Sequence, residues 1–316
     1  MRGVGPRISS PVAESVAPLA ALSVIIVNYN AAPFLARCLA SLEAHLGAVP
    51  HEICVVDNQS TDGSAEMVRR QFPGVQLVVS PRNVGFAAGV NAGLRATRGR
   101  YVLWLNPDAE LLDDGIAALL AYLEAHPQVG LLGPQIVFAD GRRQSSCRSF
   151  PSYRTALCHR DALLTRWFPA NPWSRAYLHL DWDAAAIRDV DWVSGACVLH
   201  RRQLSDALGG LDERFFLYCE DVDFCRRAWD AGWVVRYHPG ARVLHHNEMS
   251  SRQAPYRAIV TRHRSLWRYY AKHFRRHPLK DAVVAAAIWS RCGYIMMRQV
   301  LRRVCTPPRR AISSAG

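Results

Sequence analysis

The stretch Tyr101–Gly115 reads YVLWLNPDAELLDDG. Its first five residues, Tyr101 to Leu105, form an unbroken apolar run, the pattern of a strand buried on both faces. The run stops at Asn106-Pro107-Asp108. Proline has no N–H to give to a sheet ladder, so the strand ends there and a carboxylate follows just past its tip. In open α/β sheets, the loops beyond the strand ends are where ligands bind. Asp108 is therefore a candidate functional residue.

Working outward, similar apolar runs occur at Leu22–Val27, Glu52–Asp57 and Val75–Ser80. Helix-like spacing separates them at Pro33–His45, Gly63–Phe72 and Phe86–Ala96. Strands that do not alternate, each followed by a helix, predict an α/β protein with a parallel sheet covered on both faces. Pro33 suits a first helical turn, with Asn30 as its expected cap. Gly141–Asp189 is rich in Arg, Trp, Pro and Ser and reads as surface loops and short helices. Regular signals resume at VDWVSGACVLHRR (Val190–Arg202) and continue through GGLDERFFLYCEDVDFCRRAWDAG and WVVRYHPGARVLHH.

The chain has 316 residues and a formal charge of +13. The excess is local: residues 252–316 hold 15 Lys+Arg and one acid, Asp281, against 24 basic and 25 acidic residues before them. Nine cysteines are scattered singly with no C-x-x-C pair. That argues against a zinc module and against a disulfide framework in a chain this large, and predicts a reducing, cytosolic location. Ala17–Val27 reads as a flexible lead running into a first strand, not as a signal peptide. No run reaches the roughly 18 apolar residues of a membrane span.

Several polar clusters lie where strands end. In VVDNQSTDGS, Asp57 closes the second strand before Asn58, Ser60, Asp62 and Gly63; an Asx turn explains this as well as a ligand site does. In SPRNVGFAAGVNAGL, Gly85 and Gly89 permit close backbone approach, either to a ligand or within a helix packed through small residues. Neither G-x-G-x-x-G nor a Walker loop is present. Asp108, read as exposed, suits a hard cation that takes one or two protein carboxylates beside phosphate oxygens. Glu220, Asp221 and Asp223 open a helix, where the dipole favours acids. They also follow the aromatic run Phe215–Tyr218, expected to wall a pocket. His245 and His246 add a possible nitrogen ligand.

In order, SVIIVNYN, VVDNQSTDGS, NVGFAAGVNAG, WLNPDAEL, VSGACVLHRR, GGLDERFFLYCEDVDFCRRAWDAG and VLHHNEMSS resemble the family-2 glycosyltransferases of the GT-A fold, in particular their bacterial rhamnosyltransferase-like branch. The resemblance spans Leu22 to Ser251. It implies a GT-A (nucleotide-diphospho-sugar transferase-like) fold, with a mixed, mainly parallel sheet flanked by helices and a basic helical C-terminal extension. It divides the chain into a lead (1–20), a transferase domain (21–251, with a nucleotide-binding half 21–110 and an acceptor/catalytic half 111–251) and a tail (252–316). By resemblance, Asp57 contacts the nucleotide base, Tyr29 and Asn30 lie near the nucleoside, and Asn83 and Gly85 border the sugar-nucleotide site. Asp108 matches the last acid of the family's D-x-D metal motif, whose first position is Asn106 here. Asp221 matches the catalytic base and His245 the metal-associated histidine. Gly195, Ala196 and Glu220 line the donor-sugar and acceptor pocket.

The implied reaction is inverting and depends on a divalent cation, magnesium or manganese. It moves a sugar, with rhamnose favoured, from a thymidine- or uridine-type nucleoside-diphosphate donor to a hydroxyl of a glycan or polyprenyl-linked acceptor in cell-surface polysaccharide synthesis. The chemistry is consistent: a cation offsets charge on the departing diphosphate, and a carboxylate takes the acceptor proton. A non-catalytic sugar-nucleotide or glycan-binding protein and a sugar nucleotidyltransferase are the rival classes. The former would lack the base, and the latter would carry a Gly-rich loop after the first strand. The basic tail interleaves Trp267, Tyr269, Tyr270 and Trp289 with arginines. It is expected to lie on an anionic membrane surface at the cytosolic face, with a solvated basic helical extension packed on the domain as the alternative; nucleic-acid binding is disfavoured because no recognition module is present.

Overall fold

The computed structural model describes residues 21–151, 168, 182–183, 185–246 and 255–305. The expected lead, most of the Gly141–Asp189 loop region and the end of the VLHHNEMSS motif lie outside the described residues. The first half follows the predicted alternation: β1 (Leu22–Asn28), α1 (Ala32–His45), β2 (His51–Asp57), α2 (Ser64–Gln71), β3 (Gln76–Val79), α3 (Phe86–Ala96) and β4 (Tyr101–Leu105). These strands are parallel and lie in the order β3-β2-β1-β4. Every residue of β1 and β4 is buried, as their unbroken apolar runs require.

Beyond Asn106 the sheet becomes mixed. The chain continues through β5 (Ala109–Leu111), α4 (Gly115–Ala125), β6 (Val129–Val137), β7 (Cys147–Arg148), β8 (Arg188–Asp189), β9 (Trp192–Val193) and β10 (Cys197–Arg201). Then come α5 (Arg202–Leu208), α6 (Glu220–Asp230) and β11 (Val234–His245). β10 inserts antiparallel between β4 and β6, and β11 runs parallel to β6. The order among the described residues is β3-β2-β1-β4-β10-β6-β11-β5, with β8 also on β11.

Alternate strand residues divide between two cores. Leu22, Val24, Ile26, Leu103 and Leu105 meet α1, α2 and α4 on one face. Val27, Trp104 and Val198 meet α3, α5 and α6 on the other. The close approach read from Gly85 and Gly89 is realised within the protein. A Cβ on Gly89 would stand 2.6 Å from Val27 Cγ1, so this glycine seats α3 on β1. Gly85, at φ +88°, lies against the Phe216 carbonyl, which accepts the Phe86 N–H at 2.7 Å. The neighbour that excludes a side chain at each position is therefore protein.

Residues 255–305 form α7 (Pro255–His273) and α8 (Pro278–Cys305). α7 is fastened to the transferase body. Tyr269 packs with Phe215 and Val222, and Ser265 Oγ donates to the Leu217 carbonyl at 2.8 Å. α8 packs on α7, where the Tyr270 hydroxyl donates to Asp281 at 2.6 Å.

Candidate active site

Asp57 ends β2 in register with Asn28 at the end of β1. Asn28 Nδ2 donates to its Oδ1 at 2.9 Å and the Ser60 N–H to its Oδ2 at 2.9 Å. The carboxylate is 1% exposed, so it stabilises the turn that carries the neighbouring polar residues. Tyr29 remains exposed beside it. Asn30, at φ +49°, accepts the Thr61 N–H at 2.7 Å and so does not cap α1. That task falls to Asp62, whose carboxylate accepts both the Ala32 N–H at 2.8 Å and the Ser64 N–H at 3.1 Å, tying together the starts of α1 and α2. Asn83 Oδ1 accepts the Gly85 N–H at 3.0 Å, and Asn58 Nδ2 donates to the Gly85 carbonyl at 3.0 Å.

Asp108 differs from its expected exposure. The short strand β5 folds it back against β11, where it is 7% exposed and its carbonyl accepts the His246 N–H at 3.0 Å. Its Oδ1 lies 3.4 Å from His245 Nε2, and the same nitrogen lies 3.3 Å from Asn106 Nδ2. On the far side of the ring, His245 Nδ1 is 2.9 Å from Gln144 Oε1. The consistent assignment has Nδ1–H donating to Gln144, which leaves the Nε2 lone pair facing Asn106 and Asp108. An anionic oxygen and an imidazole lone pair at one point suit a divalent cation. Among the described residues no group of three or more His, Cys, Asp or Glu could hold a metal ion. Asp108 and His245 could therefore supply only part of a ligand set, which a cation would complete with diphosphate oxygens.

Asp221, in the first turn of α6, points back to the loop before β10. Its Oδ2 accepts the Gly195 N–H at 2.8 Å and its Oδ1 the Val222 N–H at 2.8 Å. Burial raises this carboxyl above its ordinary range, and the two N–H groups only partly offset that. Glu220 is 6% exposed, and its Oε2 has no hydrogen-bond partner among the described residues. Burial and then the neighbouring Asp221 charge push Glu220 well up. Burial thus raises both adjacent carboxyls, and each disfavours the ionised form of the other.

The expected aromatic wall is only partly formed. Phe215 turns inward against Tyr269, and Phe216 is the exposed ring. Asp223, expected as a dipole-stabilised acid, is instead fully buried and holds Arg227, Lys272 and His273 at 2.8, 2.7 and 2.8 Å.

These residues come from one edge of the sheet. Asp57 and Asn28 end β2 and β1, and Asn106 follows β4. The Asn106 N–H donates at 2.9 Å to the carbonyl of Ala196, the residue after Gly195. Neighbouring strands lie ~4.8 Å apart, so the rim from β2 through β1 and β4 to β10 is about 14 Å long. The backbone is strained along it. Among the described residues, the non-glycine residues with positive φ are Asn30, Gln59, Tyr218 and Cys219, all on loops of this rim. Each costs of order 1–3 kcal/mol, a cost tolerated where geometry serves a site. Gln144 escaped sequence reasoning because it lies in an irregular loop with no motif. Gly195 was found through its motif, but its bond to Asp221 was not foreseeable.

A mixed, mainly parallel α/β sheet with carboxylates gathered at the strand carboxyl ends is the architecture of the GT-A fold. Models of the families described as Glycosyl transferase family 2 and Glycosyl transferase family group 2 match residues 23–173 and 101–279. The N-acetylglucosaminyl-diphospho-decaprenol L-rhamnosyltransferase of Mycobacterium tuberculosis is 34% identical over 89% of this chain and 94% of its own length. Rhamnosyltransferase WbbL of Escherichia coli is 23% identical over 79% of this chain and 92% of its own. Among solved structures, the mannosyltransferase PcManGT from Pyrobaculum calidifontis, in complex with GDP-Man and Mn2+, shares the fold at a TM-score of 0.55. It is 19% identical, covering 93% of this chain and 84% of that one. The chain belongs to glycosyl transferase family 2 and is a rhamnosyltransferase-like glycosyltransferase.

Proposed function

We propose that this enzyme transfers a rhamnosyl residue, with inversion, from a thymidine-type nucleoside-diphosphate sugar to a hydroxyl of a polyprenyl-diphosphate-linked N-acetylglucosamine in cell-wall glycan synthesis. The observation that carries the reading is near full-length similarity to the mycobacterial enzyme named for that acceptor. The rim geometry supports it.

Asp221 is the base: it takes the acceptor hydroxyl proton while the acceptor oxygen bonds to the anomeric carbon and the bond from that carbon to the diphosphate breaks. Its raised pKa strengthens it for this role. The Gly195 N–H fixes the direction of the carboxylate. Asp108 and His245 would hold a divalent cation, which would offset negative charge on the departing diphosphate. Asn106 contributes its amide to the same point, and Gln144 orients the imidazole. Tyr29, Asn30 and the Asp57 turn receive the nucleoside, with Asn83 and Gly85 at the margin of the sugar-nucleotide site and Ala196 beside the acceptor. A polyprenyl-linked acceptor is met at a bilayer, so the enzyme works as a peripheral protein on the cytosolic membrane face.

The reading is tested by incubating the purified chain with magnesium or manganese, a panel of nucleotide-sugars and a polyprenyl-diphosphate N-acetylglucosamine. Nucleoside diphosphate release and a glycolipid gaining one deoxyhexose are expected. A donor other than a deoxyhexose nucleotide, or no glycolipid product, would reject it.

A further inference from the structure

α8 presents a long apolar face that nothing in the described structure covers. Leu279, Val283, Met297 and Leu301 are 74%, 69%, 55% and 52% exposed. Their spacing, with Ala286, Ser290 and Gly293 between them, keeps them on one side of a helix of 3.6 residues per turn. Trp289, Tyr294 and Val300 are also exposed and widen the face. From Leu279 to Leu301 it runs about 33 Å. No charged residue lies on it.

The opposite side explains why α8 remains a helix. Ile288 and Cys292 are buried, and Asp281 is turned inward to the Tyr270 hydroxyl. Basic residues occupy one flank: Lys280, Arg291 and Arg298 recur at spacings that place them in a single row beside the apolar face. Arg275, Arg276 and His277 extend this charge around the start of α8, where they line an open recess of about 560 Å³. The sole acid of residues 252–316 is Asp281, which sits low in that recess, bonded to the Tyr270 hydroxyl and 3.7 Å from Arg275, so the positive charge stays in large excess.

We infer that the exposed face of α8 is a membrane-docking surface that lies in the plane of an anionic phospholipid bilayer, apolar side chains among the acyl chains and the basic row among the headgroups. The inference rests on the proposed lipid-linked acceptor for its purpose, but on the α8 geometry for its content. Among the described residues no helix is long and apolar enough to cross a membrane. An apolar face edged by arginines, with a tryptophan and a tyrosine on it, is the composition of a helix seated at the interface. Basic residues next to a surface of anionic lipid each add about fivefold to binding. α7 carries the consequence inward. It packs α8 on one side and, through Lys272 and His273, holds Asp223, two residues from Asp221. A docked α8 therefore sets the height of the catalytic rim above the lipid.

The test uses the full chain and sedimentation with vesicles of phosphatidylcholine alone or mixed with phosphatidylglycerol. Tighter binding to the mixed vesicles is expected, weakened by salt. Val283→Asp with Met297→Asp should reduce binding at least tenfold, and Lys280→Glu with Arg298→Glu should abolish the preference for phosphatidylglycerol. Val283, Met297 and Lys280 are exposed and Arg298 is half-buried over the Tyr294 ring, all far from the catalytic rim, so circular dichroism and transfer to a short-chain, water-soluble acceptor should be unchanged. Vesicle binding unaffected by Val283→Asp with Met297→Asp would overturn the inference. So would a dimer that this variant splits while vesicle binding persists, since the face would then join two copies. Failure to transfer sugar to the soluble acceptor would instead count against the proposed reaction and leave the vesicle result to stand separately.

Discussion

The backbone N–H of Gly195 donates to the Asp221 carboxylate across 2.8 Å, joining the loop before β10 to the first turn of α6. This bond aims the proposed base and partly offsets the effect of its burial. Asp221→Asn keeps an acceptor oxygen for the Gly195 N–H but cannot take a proton. Transfer should fall about 10²–10⁴-fold. Donor affinity, measured by calorimetry, should stay within about threefold; a parallel loss of binding would move Asp221 out of the base role.

The pH profile follows from the same carboxyl. A base must be deprotonated, and burial raises Asp221 above its ordinary range. Activity should therefore fall as pH falls, along a limb lying above the ~3.9 of a free aspartate. A limb at or below that value, in kcat measured against pH, would contradict the proposed environment.

Asp108→Ala should weaken manganese binding more than any other single change at the rim, because among the described residues it removes the one carboxylate beside His245 Nε2. Gln144→Ala should lower the affinity about 10–100-fold without altering the fold, by releasing the imidazole orientation. Manganese resonance or calorimetry on the chain with nucleoside diphosphate reads both effects without turnover. Gln144→Glu, which keeps an acceptor for Nδ1–H, should restore binding.

Asp223→Ala should destabilise the protein by about 3–5 kcal/mol, since Arg227, Lys272 and His273 lose a buried counter-charge together. Burial raises the Asp223 carboxyl, but His273, Lys272 and Arg227 together hold it below the ordinary range. Its stabilisation is therefore present above the ordinary carboxylate pKa and is lost as pH falls through the lowered one. Urea midpoints should drop in acid for the natural chain and vary less with pH in the variant.

Gly89→Ala should cost about 1–3 kcal/mol, because the new methyl would meet Val27 Cγ1 at 2.6 Å on a rigid strand. Thermal unfolding measures it. A neutral outcome would mean α3 is free to lift from β1.

The first half of the sheet was legible because its causes are local. Apolar runs of strand length, helices of matching spacing, and Pro107 after Leu105 specify β1 to β4 without reference to distant residues. Asp57, Asp108 and Asp221 stood out as acids just past those runs or opening a helix, and the motif order pointed to glycosyl transferase family 2. The strong charge of residues 252–316 was likewise visible in composition. Tertiary structure alone decided what each acid does. Asp108 is buried rather than exposed because β5 pairs with a strand far along the chain. His245 meets Gln144 across 101 residues of sequence. Asp223 became an anchor for α7, while Asp221, two positions earlier, was left facing the rim. A carboxylate's role depends on its counter-charges, N–H donors and solvent access. In this protein the antiparallel entry of β10 and the docking of α7 supply those partners, and no local pattern encodes either.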